Sequence, residues 1–177
     1  MFMNDVLIFK KQLMWDICTN EDIIALIDVG FKAKNHDPDI SDIEYYPYRQ
    51  VFPYLYAPDV EDEEKVYLCY DFETLGLSPY NDIQKDLEMT IYIVSHRKKM
   101  RVETPAFQGA RTDLLMHEFD SLLSRNPDYG FSCKISSTTV MPNPPKDHYG
   151  FIMRYDVKSI NSDNTHAKAN YVNRIRY

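Results

Sequence analysis

Between Leu87 and Arg125 the chain reads as an alternating strand, a basic connection and an amphipathic helix, and no other stretch limits the possible folds as much. Leu87, Met89, Ile91 and Ile93 recur at every second position, while Glu88, Thr90, Tyr92 and Val94 take the other side. That is the period of an antiparallel strand with one face in a core. The face needs a cover, and the helix that runs from about Thr112 to Arg125 supplies it. At 100° per residue Leu115, Met116, Phe119, Leu122 and Leu123 fall on one arc of about 120°. Thr112 is placed to cap the first turn, Asp113 suits the positive end of the helix dipole, and Asn126-Pro127 ends the helix.

Elements of matching kind lie on both sides of this unit. Asn4 can cap a helix reaching about Cys18, with Val6, Leu7, Leu13, Met14 and Ile17 on one side and Ile8 and Trp15 nearly opposite. Either this helix is sandwiched inside its own domain, or the Ile8/Trp15 side packs on a neighbouring subunit. Thr19-x-x-Asp22 is a capping-box pattern ahead of Ile23, Ile24, Leu26 and Ile27, and Gly30 can close that second helix. From Phe31 to Glu64 prolines interrupt any helix while tyrosines argue against disorder, so an ordered arm is expected, with a short extended piece at Val51 to Tyr54. Val66, Leu68, Tyr70 and Phe72 alternate as a strand that should pair beside Leu87, with a turn at Ser78 to Asn81. Phe131, Cys133 and Ile135 begin a third strand, and Tyr149, Phe151, Met153, Tyr155 and Val157 line one face of a fourth. The proline-rich run Met141 to His148 between them should project as a stiff loop. The expected class is α+β over residues 1–160: a mainly antiparallel sheet of about four strands, packed against the central helix, with N-terminal helices and the arm at 31–64. Residues 161–177 form a polar C-terminal tail, a candidate to order only on a partner.

At 177 residues and 44% hydrophobic content the chain can build one core. A net charge of −7 argues against a free duplex-binding protein. Cys18, Cys69 and Cys133 stand singly, as reduced thiols do, and charges within the N-terminal apolar run exclude a signal peptide or a membrane span there. Charge is placed in blocks. From Asp37 to Glu64 nine acids stand against Arg49, and from His96 to Arg111 five Lys or Arg stand against Glu103. The blocks are two solvated loops, or else Arg97, Lys98, Lys99 and Arg101 face Asp59, Glu61, Asp62, Glu63 and Glu64 of the next subunit in a head-to-tail ring.

Motifs for chemistry are sparse. Asp71-Phe72-Glu73 is similar to the first motif of the DEDD exonucleases, where two carboxylates on one strand face hold metal ions. His117-Glu118-Phe119-Asp120 would have to be a second motif, but Phe119 is better explained as core, and Thr165-His166-Ala167-Lys168 lacks the final Asp of a third. The five histidines have no ligand spacing, and five glycines form no phosphate loop. An enzyme is not expected, nor a metal or other cofactor.

Two runs carry a family resemblance. Phe52 to Asp59 leading into Lys65 to Tyr70, and Leu87 to His96 followed by Arg111 to Leu115, resemble proteins of the head–tail joining region of long-tailed bacteriophages. The order of helices, strands, central helix and closing pair is most similar to tail terminators, over roughly residues 1 to 160. The resemblance implies a structural virion protein: a ring, usually six-fold, that caps the head-proximal end of the tail tube, ends its polymerisation and joins it to the head connector. Implied partners are copies of itself, the tail tube protein and head-completion or connector proteins, with genomic DNA passing through unbound and no membrane. The implied location is the virion neck, after assembly in the host cytoplasm. Pro142, Pro144, Pro145 and Lys146 of the stiff loop, with Arg174 and Arg176 of the tail, are the candidate contacts to neighbouring rings. Another neck component, such as a head-completion, stopper or adaptor protein, and a metal-dependent exonuclease are the other readings.

Overall fold

A computed structural model describes residues 2–28, 42–56, 64–77, 84–124 and 132–160. The expected Gly30 cap, the turn at Ser78 to Asn81, the Asn126-Pro127 stop, Phe131 and the tail at 161–177 lie outside them, as does most of the arm.

Helices α1 (Phe2–Thr19), α2 (Glu21–Ile27) and α3 (Asp42–Tyr45) come first, followed by the two-residue strand β1 (Val51–Phe52). Strands β2 (Val66–Leu77) and β3 (Gln84–His96) follow, then the short hairpin β4 (Arg101–Glu103) and β5 (Gln108–Ala110), helix α4 (Arg111–Ser124), and strands β6 (Ser132–Val140) and β7 (His148–Ile160). The class is α+β, as the alternation of apolar residues requires. The main sheet has five strands rather than about four, in the order β1-β2-β3-β7-β6. All its pairs are antiparallel except β1, which joins β2 in parallel through Val51 opposite Leu68 and Phe52 opposite Cys69. The extended piece expected in the arm is therefore an edge strand.

Helices cover one face of this sheet. Leu87, Met89, Ile91 and Ile93 of β3 and Met153, Tyr155 and Val157 of β7 are buried against Leu115, Phe119 and Leu123 of α4. Full burial of each large apolar side chain is worth about 1.5–3 kcal/mol, so this layer is the main stabilising contact. The opposite face has a smaller cluster at one end, where Phe52 and Tyr56 stack at 4.3 Å over Tyr67, Cys69 and Val94. This arm segment is why Tyr67 and Val94, on the face turned away from the helices, are buried along with Cys69.

Three local expectations are corrected. Asn20, not Thr19, caps α2: its side chain accepts from the Asp22 and Ile23 amides, while the Thr19 hydroxyl donates to Trp15 O. Thr112 lies inside α4, not at its cap, because β5 runs straight into the helix and the Arg111 amide bonds Met100 O at 2.7 Å. Leu7 faces outward, 48% exposed, because stacking of Phe9 on Phe72 at 5.9 Å turns α1 so that Phe9, Leu13 and Ile17 enter the core.

The sheet's two flanks differ. Beside β2 the Lys10 ammonium reaches Pro53 O at 3.0 Å and Asp71 at 2.6 Å, and Asp71 accepts from the Phe72 amide at 2.8 Å. Proline, lysine and a satisfied amide are common ways of blunting an edge. β6 has no proline and one charge, Lys134, and among the described residues nothing pairs with its outer side. Its irregularity is a register shift between Ile135 and Ser137. No described helix is long and apolar enough to cross a membrane.

Candidate assembly surface

The outward side of α1 carries Leu7 and Trp15, 48% and 51% exposed, with Ile8 half-buried beside them. Residues four and eight apart on a helix share one side, so Leu7, Lys11 and Trp15 form a row. Trp15 is not part of this chain's own core.

A second surface lies where β3 ends. The chain leaves it through a 3-10 turn, Arg97–Lys99, whose second amide is capped by His96: Nδ1 accepts from the Lys98 amide at 3.3 Å. Three cations thus stand on one turn, and Glu64 holds two of them. Its carboxylate accepts from Lys98 Nζ at 2.6 Å and lies 3.7 Å from Lys99 Nζ. The hydrogen bond from Lys98 is the main reason its carboxyl titrates below the ordinary range, with Lys99 and His96 adding to the effect. Glu64 therefore reaches the basic turn of its own chain. Arg101, on β4, is exposed and pairs with Glu103 two residues on. Asp59, Glu61, Asp62 and Glu63 fall outside the described residues.

The proline-rich loop ends beside this turn, fastened to it by the Arg97 amide donating to Asp147 O at 2.8 Å. Asn143 and Asp147 adopt left-handed backbone with φ of 52° and 58°, the conformation short polar side chains tolerate best. Pro142 and Lys146 are exposed, and Pro144 and Pro145 are half-buried. Arg174 and Arg176 lie outside the described residues.

The structure also places residues that sequence reading set aside. Arg111, counted in the basic block, is 2% exposed, and desolvation lowers its pKa while Asp28 opposes that shift. His96 and His148, read as dispersed, face each other across β3 and β7. Their only signal in sequence was that each stands at a strand terminus beside a polar loop. Asp71 and Glu73 are exposed on the sheet face opposite α4, which carries His117, Glu118 and Asp120, so the two exonuclease-like motifs are not brought together. Among the described residues no group of three His, Cys, Asp or Glu is arranged to hold a metal. Burial pushes the Cys69 thiol up to about 11 and the Cys133 thiol up to about 12, which keeps both protonated and weakly nucleophilic at neutral pH.

A family profile, YomW, matches residues 20–157. The chain belongs to the YomW family. That family is phage-derived, of the SPβ-like prophage type. The YomW match begins at the cap of α2 and ends in β7, so the Leu7/Trp15 row on α1 lies outside it. No curated protein matches the chain.

Proposed function

We propose that this YomW protein is a structural component of the phage virion, a tail terminator that forms a ring at the head-proximal end of the tail tube. There it ends tube polymerisation and joins the tail to the head connector. The observation that carries the reading is the half-exposed Trp15 beside Leu7 on a helix whose other side is already packed. A large amphipathic ring left outside a core is typical of a surface that meets another protein. The phage-derived family supports the setting, and the resemblance to head–tail joining proteins supports the place. Ile8 and Trp15 would meet the next subunit, as would Arg97 and Arg101 with the acids Asp59 to Glu63, while Glu64 pairs with Lys98 and Lys99 of its own chain. Pro142, Pro144, Pro145 and Lys146, with Arg174 and Arg176, would contact adjoining rings. The subunit number expected is six, and the protein would join the virion neck in the host cytoplasm.

Another neck component, such as a stopper or adaptor, is favoured if rings bind the head connector but not the tube. Electron microscopy of the purified protein, alone and mixed with tail tubes, tests both readings. Rings seated on tube ends are expected for the wild type, with loss of rings but a folded monomer in Trp15→Ala. A lone subunit at high concentration with no affinity for tubes or connectors overturns the proposal. Magnesium-dependent nuclease activity abolished by Asp71→Asn would replace it with the exonuclease reading.

A further inference from the structure

His96 closes β3 and His148 opens β7, and the two are cross-strand partners. Their rings stand edge to face with centroids 5.1 Å apart, and the residues are 5% and 2% exposed. Tyr67 lies beside His148, with ring centroids 6.1 Å apart.

The neighbouring backbone fixes the tautomer of each ring. His148 Nδ1 lies 2.8 Å from Lys146 O. A carbonyl can only accept, so Nδ1 carries the proton and Nε2 is left as a bare acceptor, buried and without a partner. His96 is the reverse: its Nδ1 accepts from the Lys98 amide, so its proton is on Nε2. The His96 contact suits the neutral ring alone, whereas the His148 bond to Lys146 O holds in either state. A second proton on His96 would enter Nδ1 and oppose the Lys98 N–H, removing the cap of the 3-10 turn. A second proton on His148 would place a charged N–H at a buried atom with no acceptor.

The enclosing segments offset that charge only through Glu64, whose attraction to a charged His96 is weaker than its hold on Lys98 and Lys99. The chain ahead of β2 supplies Glu64 and Lys65, β2 supplies Tyr67, the turn supplies Arg97, Lys98 and Lys99, and the loop supplies Lys146 and Asp147. Among the described residues there cations outnumber carboxylates, and Glu64 is already bound to Lys98 and Lys99.

We propose that His96 and His148 form a proton-sensitive latch that holds the basic turn and the proline-rich loop together when neutral and releases both when protonated. The bond from the Arg97 amide to Asp147 O couples the two segments, so loss of either histidine contact loosens both. The open form takes up protons that the closed form cannot accommodate, so opening is favoured as pH falls. The latch is a property of the single chain and stands whether or not the chain assembles into rings.

Hydrogen–deuterium exchange at about pH 7.5 and about pH 5, each corrected for intrinsic exchange, tests it. The opening constant of residues 97–100 and 146–148 should rise by up to about tenfold per pH unit for each imidazole that takes a proton, while the β3 centre stays protected. In a His96→Asn, His148→Asn double variant, whose amides keep cap and carbonyl contacts but do not titrate, this rise should vanish. A rise that persists in the variant, or none in the wild type, overturns the latch. Should the variant not fold, an NMR titration of wild-type histidine ring carbons and the Lys98 amide decides the matter. Shared midpoints support the latch, and a Lys98 amide indifferent to histidine protonation overturns it.

Discussion

The Arg111 guanidinium donates from Nε to Lys99 O at 2.5 Å and from Nη1 to Leu26 O, tying the start of α4 to the end of α2. Carbonyls at a helix C-terminus are unpaired within their helix and carry the negative end of its dipole, so Leu26 O is a suitable acceptor for a buried cation. Asp28 stands close enough to raise the Arg111 pKa against desolvation, and Tyr46 donates to the Asp28 carboxylate at 2.8 Å. Arg111→Ala removes the donor and leaves two acceptors in a dry site. Urea unfolding of that variant should show a loss of about 3 kcal/mol, well beyond the effect of an exposed charge. Nothing in spacing or composition sets Arg111 apart from Arg97 or Arg101, because its burial follows from where α2 ends in space.

At the scale of elements, β7 approaches β3 so closely at Gly150 that a methyl group there would lie 2.8 Å from Ile93 O and 3.3 Å from Met141 Sδ. Gly150→Ala should separate these central strands and lower stability by about 1–3 kcal/mol, read from the thermal midpoint. The elements that sequence made legible were those with a single strong period. β2, β3 and α4 stand where alternation and the helical stripe put them, because each buries one face against one layer. What escaped was set by neighbours far along the chain. The parallel pairing of Val51 and Phe52, the turning of α1 by the Phe9–Phe72 stack, and the burial of Tyr67 under Phe52 and Tyr56 all depend on contacts between segments. Of the candidate surface, Trp15 was visible because it falls outside the helix stripe, whereas the His96–His148 pair needed the β3–β7 register.

For the molecule as a whole, Glu64 clasping Lys98 and Lys99 leaves fewer charges for contacts between copies than the sequence blocks offered. If rings close through Arg97 and Arg101 on one subunit and arm acids on the next, added salt should dissolve them, since exposed charges are screened beyond about 10 Å at 0.1 M. Arg97→Glu should do so even at low salt. Sedimentation velocity across a salt series checks both, and rings indifferent to salt and to the charge reversal would place the contact wholly on Leu7, Ile8 and Trp15.

The unlike flanks of the sheet also restrict what can join it. A foreign strand meets the Lys10–Asp71 barrier on one side and open backbone at β6 on the other. Were two chains to join β6 to β6, each would turn the border with Lys10 and Asp71 outward, where a further strand meets an ion pair and a satisfied Phe72 amide. Such stacking favours a pair over a fibre.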